Sequence, residues 1–453
     1  MDKNIVVVRY SHSYSAFAGL GLHLRQLNRR LAEFGGIQIY QLFPVTAHRE
    51  SGVSGDLLPC PKNLNERPLI ITSTYTPGFK REMAIRRRLV DLLGRISPRL
   101  LHAVRSAARW AHEPGRIDVG LHLPLLTHQT RMTTESRDQL RSELDRIRAM
   151  HSDDHMLFMD HSAFQIKSIE RQNDAVNMGF TVAIQHHGEF MKSFEDSLRM
   201  SSKHAHAAAV TLKGHNGELG ENPVRLGNGI DTDYFNPETV ESGAFRRRVS
   251  IPDAHFLILF PARIVKDKGQ CDLITALRML SARGNANNVS VVFAGPGSDP
   301  VYKEKIRRQI RDCPHGHSVS FFCCGALTQA ELREAYRDAD LVALTSYSEA
   351  TGRVLVEAQA MGVPVVTYDV GGTSEALIDG VTGILVPCGD IEKLAMTVAE
   401  MIMTSRKRDS VSCMVARQFA VEHYSLTALA ERHLNWYRRI LGIDDKGQAD
   451  RVS

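Results

Sequence analysis

Nowhere in the 453 residues is there a run approaching the ~18–20 consecutive apolar residues that a membrane-spanning helix needs, so no transmembrane segment is expected. The amino terminus, MDKNIVVVRY, has an acidic residue and only a short apolar run where a secretory leader would carry a basic start and a longer apolar core. A cytoplasmic chain is expected. Cysteine is sparse and odd in number: seven, at 60, 271, 313, 323, 324, 388 and 413, with no C-x-x-C pair. That argues for reduced, buried thiols over a disulfide framework or a zinc site. Glycine (33) and proline (17) are too few for a collagen-like chain, and neither an internal repeat nor a low-complexity tract occurs.

What is present is ordinary globular composition, 43% hydrophobic and 24% charged, over a length that predicts about two to four domains. The net charge of +5 is unevenly placed: residues 1–212 carry 28 Lys and Arg against 21 Asp and Glu, while the remainder carries 28 against 30. The excess sits in residues 78–110, with nine basic residues against Glu82 and Asp91, and with Ile85, Leu89, Leu92, Ile96, Leu100, Val104 and Ala108 at helical spacing around Pro98. Two readings stand: a solvated face on a helical hairpin packed on its domain, or a peripheral helix touching an anionic membrane at its inner face or guiding an anionic acceptor. Nucleic acid is not an expected partner, because the segment has one terminal aromatic, Trp110, and no recognised module.

Short β-branched runs alternate with amphipathic stretches along the chain, the pattern of parallel sheets covered by helices. The first half predicts strands at 4–10, 37–43, 156–160 and 181–185 and a helix from Leu20 to Glu33; the segment 44–150 is the least regular. The second half predicts strands at 256–263, 289–295, 318–325, 341–346, 364–369 and 383–387, near-continuous apolar runs as expected of strands buried on both faces. Thr328 and Glu331 form a capping-box pattern, and a helix is expected over 425–441. The fold class is therefore α/β, with two doubly wound, Rossmann-like units.

In open parallel sheets ligands bind beyond the carboxyl ends of the strands. Those loops in the second half carry Arg263 and Lys268-Gly269, then Gly295-Pro-Gly297, then Glu349, Thr351, Gly352, Arg353, Val354 and Glu357, then Gly371-Gly372 and Glu375. Cations, glycines and helix starts together suit a phosphate-bearing ligand. Gly295 also fits a plain strand-to-helix turn, and Glu375 a charge at a helix start. Glu349 and Glu357 are eight positions apart, which on a continuous helix is ~12 Å along the axis and ~80° around it. A glycosidase needs its carboxyl groups ~5 to 9.5 Å apart, so the pair suits two contacts along one elongated ligand instead. The group His151, Asp153, Asp154, His155, Asp160 and His161 suggests a metal cluster, but its two halves lie at opposite ends of a strand, ~17 Å apart. No metal is expected to be required.

The run Ser348-Glu349, Glu357-Ala358, Gly362-Val-Pro-Val-Val366, Gly371-Gly372 and Glu375 resembles the Glu-x7-Glu core of retaining nucleotide-sugar glycosyltransferases of family 4, which have the GT-B fold. Arg263 with Lys268-Gly269 matches the family's G-R-x-x-x-x-K-G segment, with Ala262 in place of its Gly, and Asn228-Gly-Ile-Asp231 with Phe235 matches its linker motif. Ala18-Gly19 through His23, Asp154 through Ser162, His187-Gly188 and Trp436-Tyr437 resemble further family segments, so the likeness spans most of 1–441, weakly over 44–150. Ala18 and Gly21 depart from the usual Gly and Glu, and Ala350-Thr351 from the usual Gly-Phe.

The resemblance implies two Rossmann-like domains facing a central cleft: an acceptor-binding domain over 1–213, a donor-binding domain over 214–424, and a helix within 425–453 returning to the first. It implies retaining, metal-independent transfer from a nucleoside-diphosphate sugar, UDP-sugar being the first expectation, to an unidentified hydroxyl of a glycan, lipid-linked sugar or small metabolite. Arg263 and Lys268 would stabilise the departing diphosphate, Glu357 would hold the ribose hydroxyls, and Glu349 would lie near the donor sugar. Backbone around Gly19 and Thr351–Arg353 would cradle phosphates, His187 would contact the transferred sugar, and Gly295 and Val354 are further donor-binding candidates. The rival readings are a GT-B sugar-nucleotide epimerase and a catalytically silent scaffold.

Overall fold

The apolar runs sort into two open, all-parallel sheets, each the core of its own compact unit. The computed structural model describes residues 3–11, 19–46, 62–71, 134–161, 168–186, 205–210, 224–284, 286–297, 299–313, 319–349, 351–405 and 410–443. The basic segment 78–110 lies outside them, as does His187.

In the first unit the elements are β1 (Ile5–Tyr10), α1 (Gly19–Ala32), β2 (Ile37–Thr46), β3 (Leu64–Ile71), α2 (Thr134–Met150), β4 (His155–Asp160), α3 (Ser168–Asn177), β5 (Thr181–His186), β6 (Ala207–Val210) and β7 (Val224–Arg225). The sheet order is β3-β2-β1-β4-β5-β6-β7. Every residue of central β1 is buried, and alternation sends Val6, Val8 and Tyr10 to one core with Leu140, Leu144, Ile147 and Phe158. Arg9 points to the other face. Its fully buried guanidinium donates to Asn28 Oδ1 on α1 and, at 2.6 Å, to the Tyr437 hydroxyl, while Asn28 donates to Gln41 Oε1 at 2.9 Å. The elements β3 and α2 fall within the stretch that is least regular in sequence. Arg137 locks α2 to α3 by a two-pronged pair with Asp174 at 2.7 and 2.9 Å.

The second unit continues with α4 (Ala244–Val249), β8 (Phe256–Phe260), α5 (Gln270–Ala282), β9 (Val289–Ala294), α6 (Pro300–Arg311), β10 (Val319–Gly325), α7 (Gln329–Asp338), β11 (Leu341–Leu344), α8 (Arg353–Ala360), β12 (Val365–Tyr368), β13 (Gly383–Val386), α9 (Ile391–Ser405), α10 (Ser410–Tyr424) and α11 (Leu426–Ile440). Its sheet order is β10-β9-β8-β11-β12-β13, the doubly wound pattern with its switch between β8 and β11. The expected strand 256–263 stops at Phe260 because Pro261 has no N–H to extend the ladder. Thr328 and Glu331 form the capping box at the start of α7, through both the side chain and the backbone N–H of Thr328.

Two expectations are corrected. β10, read as buried on both faces, is an edge strand, half-buried along its length with Cys323 exposed. The thiols are free but not uniformly buried: of the described six, Cys271 is buried while Cys323 and Cys388 are exposed. The border between units falls between Arg225 and Leu226, where β6 and β7 complete the first sheet. Helix α11 is divided between them: Leu426 N–H donates to Ile230 O at 3.1 Å within the second unit, and residues from Leu434 onward belong to the first.

Because Arg9 Nε already lacks a partner among the described residues, the Tyr437 hydroxyl is one of two acceptors for a buried cation. Tyr437→Phe is expected to destabilise the chain by about 2–3 kcal/mol in urea unfolding. A loss below about 0.5 kcal/mol would show that Arg9 finds another acceptor.

Candidate active site

The switch between β8 and β11 brings together the two loops that carry the sequence candidates. After Pro261 the chain runs to a 3-10 turn, Lys266–Lys268, closed by Gly269 at φ 70°. A Cβ at position 269 would stand 2.0 Å from the Thr345 carbonyl oxygen, so only glycine lets this turn approach the end of β11. Thr345 Oγ1 donates to Gly269 O at 2.8 Å, and Tyr347 N–H donates to Asp267 O at 2.9 Å. The two loops are thus held directly against each other, and Lys268 Nζ lies 2.7 Å from Glu349 Oε2 and 3.5 Å from Ser348 O. The paired side chains are 14% and 19% exposed, so the pair is shielded but still open to a ligand.

Glu349 is not on the helix. α8 begins at Arg353, with Gly352 at φ 57° and ψ 50° as its cap, so the continuous-helix arithmetic for the two glutamates does not hold. Gly352 supplies no capping side chain, which leaves the helix start available to an anion. Thr351 is held by Asn228, whose Nδ2 donates to Thr351 Oγ1 at 2.6 Å; Asn228, quoted in the linker motif, thereby joins the site. Glu357 is 6% exposed, accepts from the Tyr336 hydroxyl at 3.0 Å and lies 3.8 Å from Arg353 Nη2. Burial raises its carboxyl above the usual range, against the opposing pull of Arg353 and the Tyr336 hydrogen bond.

Arg263 is exposed; its carbonyl accepts from Gln270, and its guanidinium makes no ion pair among the described residues. Val354 packs half-buried on the core. A Cβ on Gly295 would stand 2.1 Å from the Ala262 carbonyl oxygen, so packing between the first two loops accounts for a glycine there. Glu375 ends a 3-10 turn, and its carbonyl accepts from the Tyr424 hydroxyl. Gly19 opens α1 in the first unit. Of the histidine–aspartate group, His151 Nδ1 pairs with Asp154 Oδ2 at 2.9 Å, and Asp160 pairs with Arg171 at 3.0 Å. Among the described residues no three potential ligands are arranged for a metal ion.

Asp272 carries no signal in the sequence. It lies in the first turn of α5, and its Oδ2 accepts from the hydroxyls of Tyr347 at 2.6 Å and Tyr368 at 2.8 Å. Neither a motif nor a period marks an acid four residues beyond Lys268 as belonging to the site.

Two cationic side chains, an uncapped helix start and two carboxylates around one switch point can bind a phosphate ester that also carries hydroxyls. Fold and site together define an α/β chain of GT-B architecture. A glycosyltransferase from Rickettsia africae superposes with a TM-score of 0.66 at 15% identity, over 97% of this chain and all of that one. The Anabaena protein Alr3699/HepE in complex with UDP superposes with a TM-score of 0.60 at 15% identity, over 96% and 100%. Residues 242–412 match the glycosyl transferases group 1 family. A GDP-mannose-dependent alpha-(1-6)-phosphatidylinositol monomannoside mannosyltransferase of Mycobacterium tuberculosis is 28% identical over 217 residues, 46% of this chain and 54% of that protein. The chain spans about half the length of the curated relatives it matches.

The raised Glu357 carboxyl fixes the sign of a pH effect. The folded chain holds this proton more tightly than the unfolded chain, so the associated stability is complete below the ordinary 4.5 and is lost as pH rises through the raised value. Glu357→Gln has no charge to bury, so its melting temperature is expected to gain on that of wild type as pH rises above the ordinary 4.5. A pH-independent difference would contradict the assignment.

Proposed function

We propose that the protein is a retaining glycosyltransferase that moves a sugar from a nucleoside-diphosphate sugar to an acceptor hydroxyl without a metal ion. The observation that carries this reading is the Lys268–Glu349 pair beside the uncapped start of α8, with exposed Arg263 in the same loop as Lys268. The diphosphate is bound by Lys268, Arg263 and the backbone of Thr351–Arg353. Glu357 receives the ribose hydroxyls, and Glu349 lies near the donor sugar.

In the reaction the bond between the sugar anomeric carbon and the diphosphate oxygen breaks, and the electron pair leaves with the diphosphate. The acceptor oxygen bonds to the same carbon on the same face, and its proton passes to the leaving diphosphate. Negative charge grows on the diphosphate in the transition state, where Lys268 and Arg263 are most effective. They fill the charge-neutralising role that a metal ion takes elsewhere, so transfer is expected to persist in EDTA. A UDP or GDP sugar is the supported donor class: one relative is named GDP-mannose-dependent and one similar structure holds UDP.

Thermal unfolding with UDP, GDP, ADP and dTDP tests the reading. One nucleotide at about 100 times its dissociation constant is expected to add about 2.7 kcal/mol, and Lys268→Ala is expected to abolish the shift. With the matching donor, Lys268→Ala and Glu357→Ala should each lower turnover at least about tenfold. Absence of any shift with these nucleotides or their sugars would overturn the proposal.

A further inference from the structure

Asp272 touches no group assigned above to the donor, yet it is buried and meets no cation at ion-pair distance among the described residues. Two tyrosyl hydroxyls from two different strand ends converge on one of its oxygens, Oδ2. Burial and the Asp272 charge both push the two phenols upward, so each remains a hydrogen-bond donor at working pH. A buried carboxylate with only neutral donors is a poor source of stability compared with apolar side chains of the same shape. Placement is the better account of it.

The geometry supplies what is placed. Tyr347 stands two residues before Glu349, and its own N–H is tied to Asp267, the residue before Lys268. Tyr368 ends β12, and its carbonyl accepts from Thr373 Oγ1 at 2.7 Å; in the loop between them Gly372 N–H donates to Glu349 O at 3.2 Å. Glu349 is therefore approached from both sides by segments anchored on Asp272.

We propose that Asp272 is a positioning residue for the Lys268–Glu349 pair, holding the loop after β11 against the start of α5 through the Tyr347 and Tyr368 hydroxyls. Its effect on transfer rests on the function proposed above; its effect on the loop does not.

The test uses Tyr347→Phe, Asp272→Asn and their combination, with hydrogen exchange at the Tyr347 amide as a second readout. The Tyr347 side chain belongs to a residue 46% exposed, so its variant should fold with a melting temperature close to wild type. Tyr347→Phe is expected to lower kcat about tenfold, with KM for the donor moved less than about twofold, as misplacement of a bound group predicts. Asp272→Asn should act in the same direction, and the double variant should be no slower than the slower single one, the sign of one shared interaction. Exchange at the Tyr347 amide should rise in each variant. Wild-type kcat and wild-type amide protection in Tyr347→Phe would overturn the proposal, as would losses that multiply in the double variant. If Asp272→Asn does not fold, Tyr347→Phe and Tyr368→Phe carry the same decision. Should no sugar nucleotide support transfer by wild type, the exchange measurement, made without substrate, decides the clamp alone.

Discussion

The backbone approach of Gly269 to the Thr345 carbonyl is the constraint on which the candidate site depends. β8 and β11 are neighbours, but their following loops would diverge at the switch point unless something joined them. A residue with no Cβ, at φ 70°, lets the first loop lie directly on the second. Lys268 immediately precedes that contact and Glu349 follows it by four residues, so the pair is a consequence of backbone packing more than of mutual attraction. At the neighbouring strand Gly295 acts in the same way, seating the loop after β9 against Ala262.

The site is arranged at some expense in stability. Lys268 and Glu349 largely neutralise each other in a shielded position, where an ion pair adds little net stability once desolvation is counted. Glu357 is buried with its carboxyl raised, offset only incompletely by Tyr336 and a long contact to Arg353. Asp272 is buried among neutral donors. Three acids held in this way around one switch point are a poor choice for folding and point to a role in function instead. The core beneath bears the load, with strands such as FLILF and VSVVFA buried at every residue.

Much of this architecture was legible. Strands buried on both faces must be apolar throughout, and those runs stand out in the second half. The capping box at Thr328 was legible because it is a local reciprocal hydrogen bond written in two residues. Less legible was anything decided by position in the sheet. SVSFFCCG reads like an internal strand, yet as an edge strand it leaves Cys323 exposed. β3 and α2 are flanked by irregular sequence, and α2 is fastened to α3 by the Arg137 ion pairs, a tertiary contact that no periodicity reports.

The sequence by itself determined the α/β class, the two-unit organisation and the candidacy of Arg263, Lys268, Glu349 and Glu357 at the strand ends. Periodicity and strand-end position depend on neighbours close in the chain, and sequence records those directly. Tertiary structure alone decided where Glu349 lies, because the left-handed Gly352 ends any continuous helix between the glutamates. It also decided that Asn228 holds Thr351 across 123 positions and that Asp272 gathers tyrosines 75 and 96 positions away. Such contacts follow from sheet order, and a strand's sequence does not state which strand will lie beside it.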